Sequence, residues 1–169
     1  MDSFLQHTVN IRSPRWLLAQ TVGVCPHCGA STQLFAIGLP PGHESIRFDE
    51  SLDGEGQGTW EVENQNAFLF HVESLSAAIR CRLKSLVPCF RPDRCGPADD
   101  VHWLNHCERC GCALDDVELF CEPEGAFSPI SESVAGLIRL LPIEAALEAA
   151  VAGYAYEPEF FAAMGLGWG

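Results

Sequence analysis

Long apolar stretches are missing from this chain: no run of about 18 apolar residues occurs, which excludes a helical membrane span. Basic residues are scarce, with 10 Lys and Arg against 23 Asp and Glu and a net charge of −13, and that balance works against unspecific attraction to a nucleic-acid polyanion. No phosphate loop, dinucleotide fingerprint or nucleophile–base constellation is present, so the expectation is a protein that is not an enzyme. An export signal is missing too. The one segment resembling a leader, Trp16 to Val24, is short, contains Gln20 and follows a start with Asp2 and no strong basic cluster. A lipoprotein reading that ends at Cys25 fails because Val24 is bulky where such cleavage wants a small residue. Without export, nine cysteines belong to a reducing compartment, where they persist as thiols or metal ligands, and a cytoplasmic location is expected.

What is present suits one folded domain spanning 1–169. A chain of this size buries most of its apolar surface, and 47% hydrophobic with 20% charged residues is a globular composition. The charge is uneven along it. Six bases (Arg80, Arg82, Lys84, Arg91, Arg94 and Arg109) face four acids between positions 80 and 109, giving +2. Before that stretch three bases stand against nine acids, and after it one base against ten. These six bases are the candidate nucleic-acid contacts; the bland alternative is a solvated face opposed by neighbouring carboxylates.

The strongest motif is a repeat. Cys25-Pro26-His27-Cys28-Gly29 is matched far along the chain by Cys107-Glu108-Arg109-Cys110-Gly111. Two residues between cysteines let both sulfurs point into one tight turn, and the glycine that follows permits the positive φ that aims backbone N–H groups at the thiolates. Each unit supplies half a tetrahedron, so Cys25, Cys28, Cys107 and Cys110 together make a four-cysteine site for one structural Zn²⁺. Iron fits the same four sulfurs. A thioredoxin-type redox pair is the weaker reading, since neither copy precedes an amphipathic helix. Cys112 lies one residue beyond the second pair, and Cys81, Cys89, Cys95 and Cys121 show no paired spacing. A second site from Cys89, Cys95, His102 and His106 can be drawn, and His27 reads as a solvent-facing or supporting residue.

Along the chain, residues 1–20 read as an extended lead-in and Gln33 to Leu39 as a strand stopped by Pro40-Pro41-Gly42. The acidic, glycine-rich stretch from Asp49 to Gly58 reads as a solvated loop. Thr59–Val62 and Ala67–Val72 suggest two strands of a hairpin. Leu75, Ala78, Ile79, Leu83 and Leu86 predict an amphipathic helix over 74–87, capped by Ser74 and stopped by Pro88. Residues 88–100 read as a loop and Val117–Phe120 as a strand. Ser133–Leu141 is open between strand and helix, with Pro142 ending it. Ile143–Ala152 reads as helix on alanine and glutamate content, and Glu159–Met164 as a last short helix. Trp168 in the tail reads as a frayed terminus or a docking anchor.

Cys25-Pro26-His27-Cys28-Gly29 with Leu34-Phe35-Ala36, and Asn105-His106-Cys107-Glu108-Arg109-Cys110-Gly111 with Leu114-Asp115-Asp116, resemble a set of bacterial zinc-ribbon proteins of unassigned activity that share CxxCG and a later NHCxxCG. The resemblance covers about a third of the chain and implies metal binding without an assigned reaction. The expected fold is α+β: a zinc ribbon with a β-hairpin plus helix, residues 29–106, inserted as a packed subdomain between the knuckles, β-rich and with short C-terminal helices. The expected role is a protein-interaction module or inhibitor whose acidic surface recognises a protein with a basic surface. The alternatives are nucleic-acid binding through segment 80–109 and a metalloenzyme with a second metal site.

Overall fold

Two apolar runs, Trp16-Leu17-Leu18-Ala19 and Leu34-Phe35-Ala36-Ile37, decide the architecture, because each is buried on successive residues and so on both faces of a sheet. The computed structural model describes residues 8–47, 58–156 and 160–166. Its strands and helices follow in the order β1 (Ile11–Ser13), β2 (Trp16–Val24), β3 (Ser31–Leu39), β4 (Glu44–Arg47), β5 (Thr59–Val62), β6 (Ala67–Leu75), α1 (Ala77–Leu86), β7 (Phe90–Cys95), β8 (Asp100–Asn105), α2 (Asp116–Phe120), α3 (Glu132–Ala135), β9 (Arg139–Ile143), β10 (Leu147–Tyr156) and β11 (Gly165–Leu166). A 3₁₀ turn, Phe161–Ala163, precedes β11.

The eleven strands form one sheet in the order β11-β9-β2-β3-β6-β10-β1-β4-β5, with β8 attached to β6 and β7 to β8. Every pairing is antiparallel except β11 on β9. Pro14-Arg15 alone separates β1 from β2, yet β2 pairs with β3 and β9 while β1 pairs with β10 and β4, so the sheet curls back on its own beginning.

Alternation then assigns the faces. Trp16, Leu18, Phe35, Ile37 and Leu69 join one core with Ile79 and Leu83 of α1 and Phe90 and Trp103 of the β7–β8 hairpin. Their neighbours Leu17, Ala19, Leu34, Ala36 and Phe68 join a second core, roofed by Phe120, Phe127, Ile138 and Met164. Phe68 is fully buried and meets Phe127 edge-on at 5.7 Å and Phe120 at 6.4 Å. Deleting such a ring typically costs about 3–5 kcal/mol. The second core contains Cys25 and Cys107, so the sulfur site is an extension of it.

This architecture overturns the enlarged zinc ribbon. Residues between the knuckles are woven into the same sheet as those outside them: β3 pairs with β2, and β6 with β10. Helices are few and short. The lead-in contains β1 and the central strand β2. Thr59–Val62 and Ala67–Val72 are strands, but β5 pairs with β4 and β6 with β3, β8 and β10, so they form no hairpin. Helix α1 starts later than expected, with Ser76 at its N-cap, because β6 runs on through Ser74 and Leu75. Pro92 sits in β7, which tolerates it because β8 is the one strand paired with β7 among the described residues. Val117–Phe120 is helical: the Asp115 side chain accepts from the Val117 N–H and caps α2. Ser133–Leu141 holds both α3 and the start of β9, and Pro142 lies inside β9 beyond the reach of β11.

The largest reversal is Ile143–Ala152, which belongs mainly to β10. Just beyond it in the same strand, Gly153 answers to crowding. A Cβ at Gly153 would lie 2.3 Å from the Phe70 ring. Helix formers are overridden where a strand crosses large side chains closely. The acidic loop from Asp49 up to residue 57, together with Glu159 and Trp168, lies outside the described residues.

Candidate metal centre

Each CxxCG unit folds into the same six-residue turn. In the first, the Cys25 N–H donates to the Ala30 carbonyl at 2.9 Å and the Gly29 N–H to the Cys25 carbonyl at 2.8 Å. In the second, Cys107 N–H donates to the Cys112 carbonyl and Gly111 N–H to the Cys107 carbonyl, both at 2.9 Å. Gly29 and Gly111 have φ of 72° and 75°, with open space around each, so backbone conformation and not crowding demands glycine there.

The two turns bring four sulfurs together. Cys25 Sγ lies 3.7 Å from Cys110 Sγ, and Cys28 Sγ 3.7 Å from Cys107 Sγ. All four Sγ atoms lie within 4.8 Å of one another. A tetrahedron with metal–sulfur bonds of about 2.3 Å has edges of about 3.8 Å, so this set fits one tetrahedral ion. Cys25 and Cys107 are buried and Cys28 and Cys110 exposed, which places the site at the rim of the second core.

Backbone donors already bias one of the sulfurs toward charge. The N–H of Cys110, aided by that of Arg109, pulls the Cys107 thiol down to about 6. At Cys110 the N–H of Cys112 pulls the same way, but burial and the neighbouring sulfurs of Cys25, Cys107 and Cys112 push the thiol up to about 12. Four thiolates cannot accumulate so close together without a cation, and binding one displaces the remaining protons.

The moorings of the second turn were not legible in the sequence. β3 is paired with β6 only over Ile37–Leu39, which leaves the earlier half of that edge open. Asn105, 1% exposed, fills it like a strand residue: its Oδ1 accepts from the Phe35 N–H at 2.8 Å and its Nδ2 donates to the Phe35 carbonyl at 2.9 Å. Next to it the Glu108 N–H donates to buried Thr32 Oγ1, and Glu108 Oε2 accepts from the Gln33 N–H, both at 3.1 Å. An asparagine two residues before the cysteine pair was the available signal for this role. His106 turns away from the sulfurs. Its Nδ1 lies 3.0 Å from the Leu104 carbonyl, and its Nε2 lies 2.8 Å from Asp93 Oδ2, a contact that holds Asp93 below the usual carboxylate range.

Beyond the second turn, Asp116 pins α2 to β6. Its Oδ2 accepts at 2.7 Å from the N–H of His71, a residue held at φ 47°, while Oδ1 is buried without a partner among the described residues. Burial pushes its carboxyl up to about 7.

The other nominated residues do not converge. His102 stacks on His71 at 5.0 Å, Cys89 offers its carbonyl to His106, and the side chain of Cys95 is outside what the structure describes. Among the described residues the four-cysteine set is the one group of three or more ligands within metal-binding reach. His27 is exposed. Arg80, Arg82 and Lys84 are exposed on α1, Arg91 and Arg94 on β7, and Arg109 between the second pair of cysteines. Arg94 is engaged by Asp99 at 2.9 Å.

No family model, curated protein or solved structure matches the chain. The zinc-ribbon resemblance therefore reduces to its two turns, and the structure supports the coarser statement that four cysteines stand where one metal ion fits.

Proposed function

We propose that this chain is a non-enzymatic, cytoplasmic binding protein in which one Zn²⁺ at Cys25, Cys28, Cys107 and Cys110 fixes the second turn against the sheet. The observation that carries the reading is the closed sulfur tetrahedron. Four protein ligands fill every position of a tetrahedral zinc and leave none for a substrate. Iron would be distinguished by its visible absorption.

The partner we propose is a protein with a basic surface. Between Asp115 and Glu132 the chain has six acids and no base, and Asp115, Glu118, Glu122, Glu124 and Glu132 are exposed on the segment that roofs the second core. Charge of this density steers a cationic partner and makes association depend on salt. Affinity purification from the native host, with metal measured on the same sample, tests both parts. One zinc per chain and a basic partner released by salt are expected; a salt-insensitive partner or none contradicts the acidic-surface reading.

Nucleic-acid binding is the second reading, favoured by the exposure of Arg80, Arg82, Lys84 and Arg91 on the neighbouring elements α1 and β7. A titration with short labelled DNA and RNA at low salt decides it, since a protein that fails to bind there has no electrostatic footprint for nucleic acid.

A further inference from the structure

The β2 strand outruns one of its neighbours. On one side it pairs with β3 from Leu17 through Val24, but on the other its pairing with β9 ends at Gln20 and Arg139. Ahead of Arg139 the chain turns away through Gly136 and Leu137, so the edge of Thr21-Val22-Gly23-Val24 has no ladder partner among the described residues. A groove of about 470 Å³ occupies the gap, lined by Gln20, Thr21, Val22, Gln33, Leu137 and Arg139 with Gly136 between.

Proteins usually protect such an edge with lysine, proline, a bulge or an inward charge. This one has none of these. It offers instead Val22 at 58%, Val24 at 70% and Leu137 at 70% exposure, a concentration of bare aliphatic surface beside open backbone groups. The one charged side chain in the groove is Arg139, exposed and without an ion pair among the described residues.

We propose that this edge is a docking site for an extended segment of a partner polypeptide, which adds a strand to β2, sets aliphatic side chains on Val22, Val24 and Leu137, and places a carboxylate against Arg139. Main-chain hydrogen bonds supply affinity in such strand addition, and alternate side chains supply selectivity. A second copy of the chain fits less well. Its own edge, Thr21 to Val24, brings no carboxylate to Arg139, and two chains of charge −13 repel each other. The site is independent of the acidic roof and does not need that reading to hold. It does lead directly into Cys25, so the metal-loaded chain is the form to test.

The probe is a phage-displayed library of random peptides of roughly ten residues, selected on the full chain loaded with one equivalent of Zn²⁺. Selected sequences are expected to alternate aliphatic residues and to share one acidic position. A fluorescein-labelled synthetic copy should bind at least about tenfold more weakly to V22K and V24K, both at exposed positions and verified as folded by circular dichroism. R139E should exchange the acidic preference for a basic one in the same register. Amide exchange at Thr21–Val24 should slow when peptide binds. Failure to enrich any peptide, or binding indifferent to V24K and R139E, overturns the proposal. So does light scattering that shows a dimer dissolved by V24K, which would give the edge to a second copy.

Discussion

The two cysteine turns are alike within themselves and differ in how they are tied to β3. The first is the tip of a hairpin whose strands pair continuously from Val24 with Ser31 to Leu17 with Gly38. The second leaves β8, whose ladder with β7 ends at Asn105, but on its far side it has only the bridge of His106 with Ala113 among the described residues, and it reaches β3 through side chains, those of Asn105, Thr32 and Glu108. A sheet ladder forms with or without a cation; side-chain moorings that span about 70 residues of sequence must be organised by something else. The metal thus has unequal work on its two sides. On the proposed reading it decorates the first turn and recruits the second.

The largest expected effect comes from breaking that recruitment. Replacing Cys107 and Cys110 by Ser, or stripping the metal with a chelator, should lower the thermal midpoint by more than about 10 °C. Structural zinc supplies apparent binding energies of about 10–16 kcal/mol in small domains, and each kcal/mol moves the midpoint of a chain this size by about 2–4 °C. Hydrogen exchange should show where: amides from Cys107 to Ala113 should lose protection while the β2–β3 ladder keeps it. Equal loss at both turns would erase the comparison.

Next is Asn105→Ala, which leaves the Phe35 N–H and C=O buried without partners. At about 1–3 kcal/mol for each of the two orphaned groups, denaturant unfolding should register a loss of about 2–6 kcal/mol. Asp116→Asn should act in the opposite direction at neutral pH. The Asp116 carboxyl titrates near 7 in the folded chain and near the ordinary aspartate value of about 4 when unfolded, so the unfolded state gives up its proton first. Stability tied to this group is complete below about pH 4 and is lost as pH rises toward 7. Asn keeps the acceptor for the His71 N–H without the charge. It should stabilise the protein at pH 8 by on the order of 2 kcal/mol and flatten the pH dependence between 4 and 7, measured by unfolding curves across that range. The smallest effect is Glu108→Ala, about 0.5–1 kcal/mol, because the lost bond to Gln33 is exposed. As a control on the first turn, exposed His27→Ala should change neither the midpoint nor metal affinity.

The metal turns could be read in the sequence because their chemistry is local: two cysteines and a glycine carry the whole conformation. The sheet was legible where its strands were bounded by prolines, as at Leu39, or set off by turn-forming residues, as at Thr59–Val62 and Ala67–Val72. Trp16–Val24 gave no alternation because β2 is buried on both faces, and so its apolar run resembled a leader instead of a strand. Ile143–Ala152 looked helical because alanine is the best helix former, yet most of it belongs to β10, which pairs with β1 and β6 on its two sides. Val117–Phe120 looked like a strand until Asp115 was seen to cap it. Asn105 stood in plain view beside the second cysteine pair. Its role depends on an unpaired stretch of β3 far back in the chain, which local pattern does not encode.

Metal content decides the central claim most directly. Elemental analysis of the chain purified without added metal should find one zinc per molecule, and none after both cysteine pairs are replaced by serine. Material that is folded and metal-free, or a variant lacking all four sulfurs that still carries the ion, would contradict it.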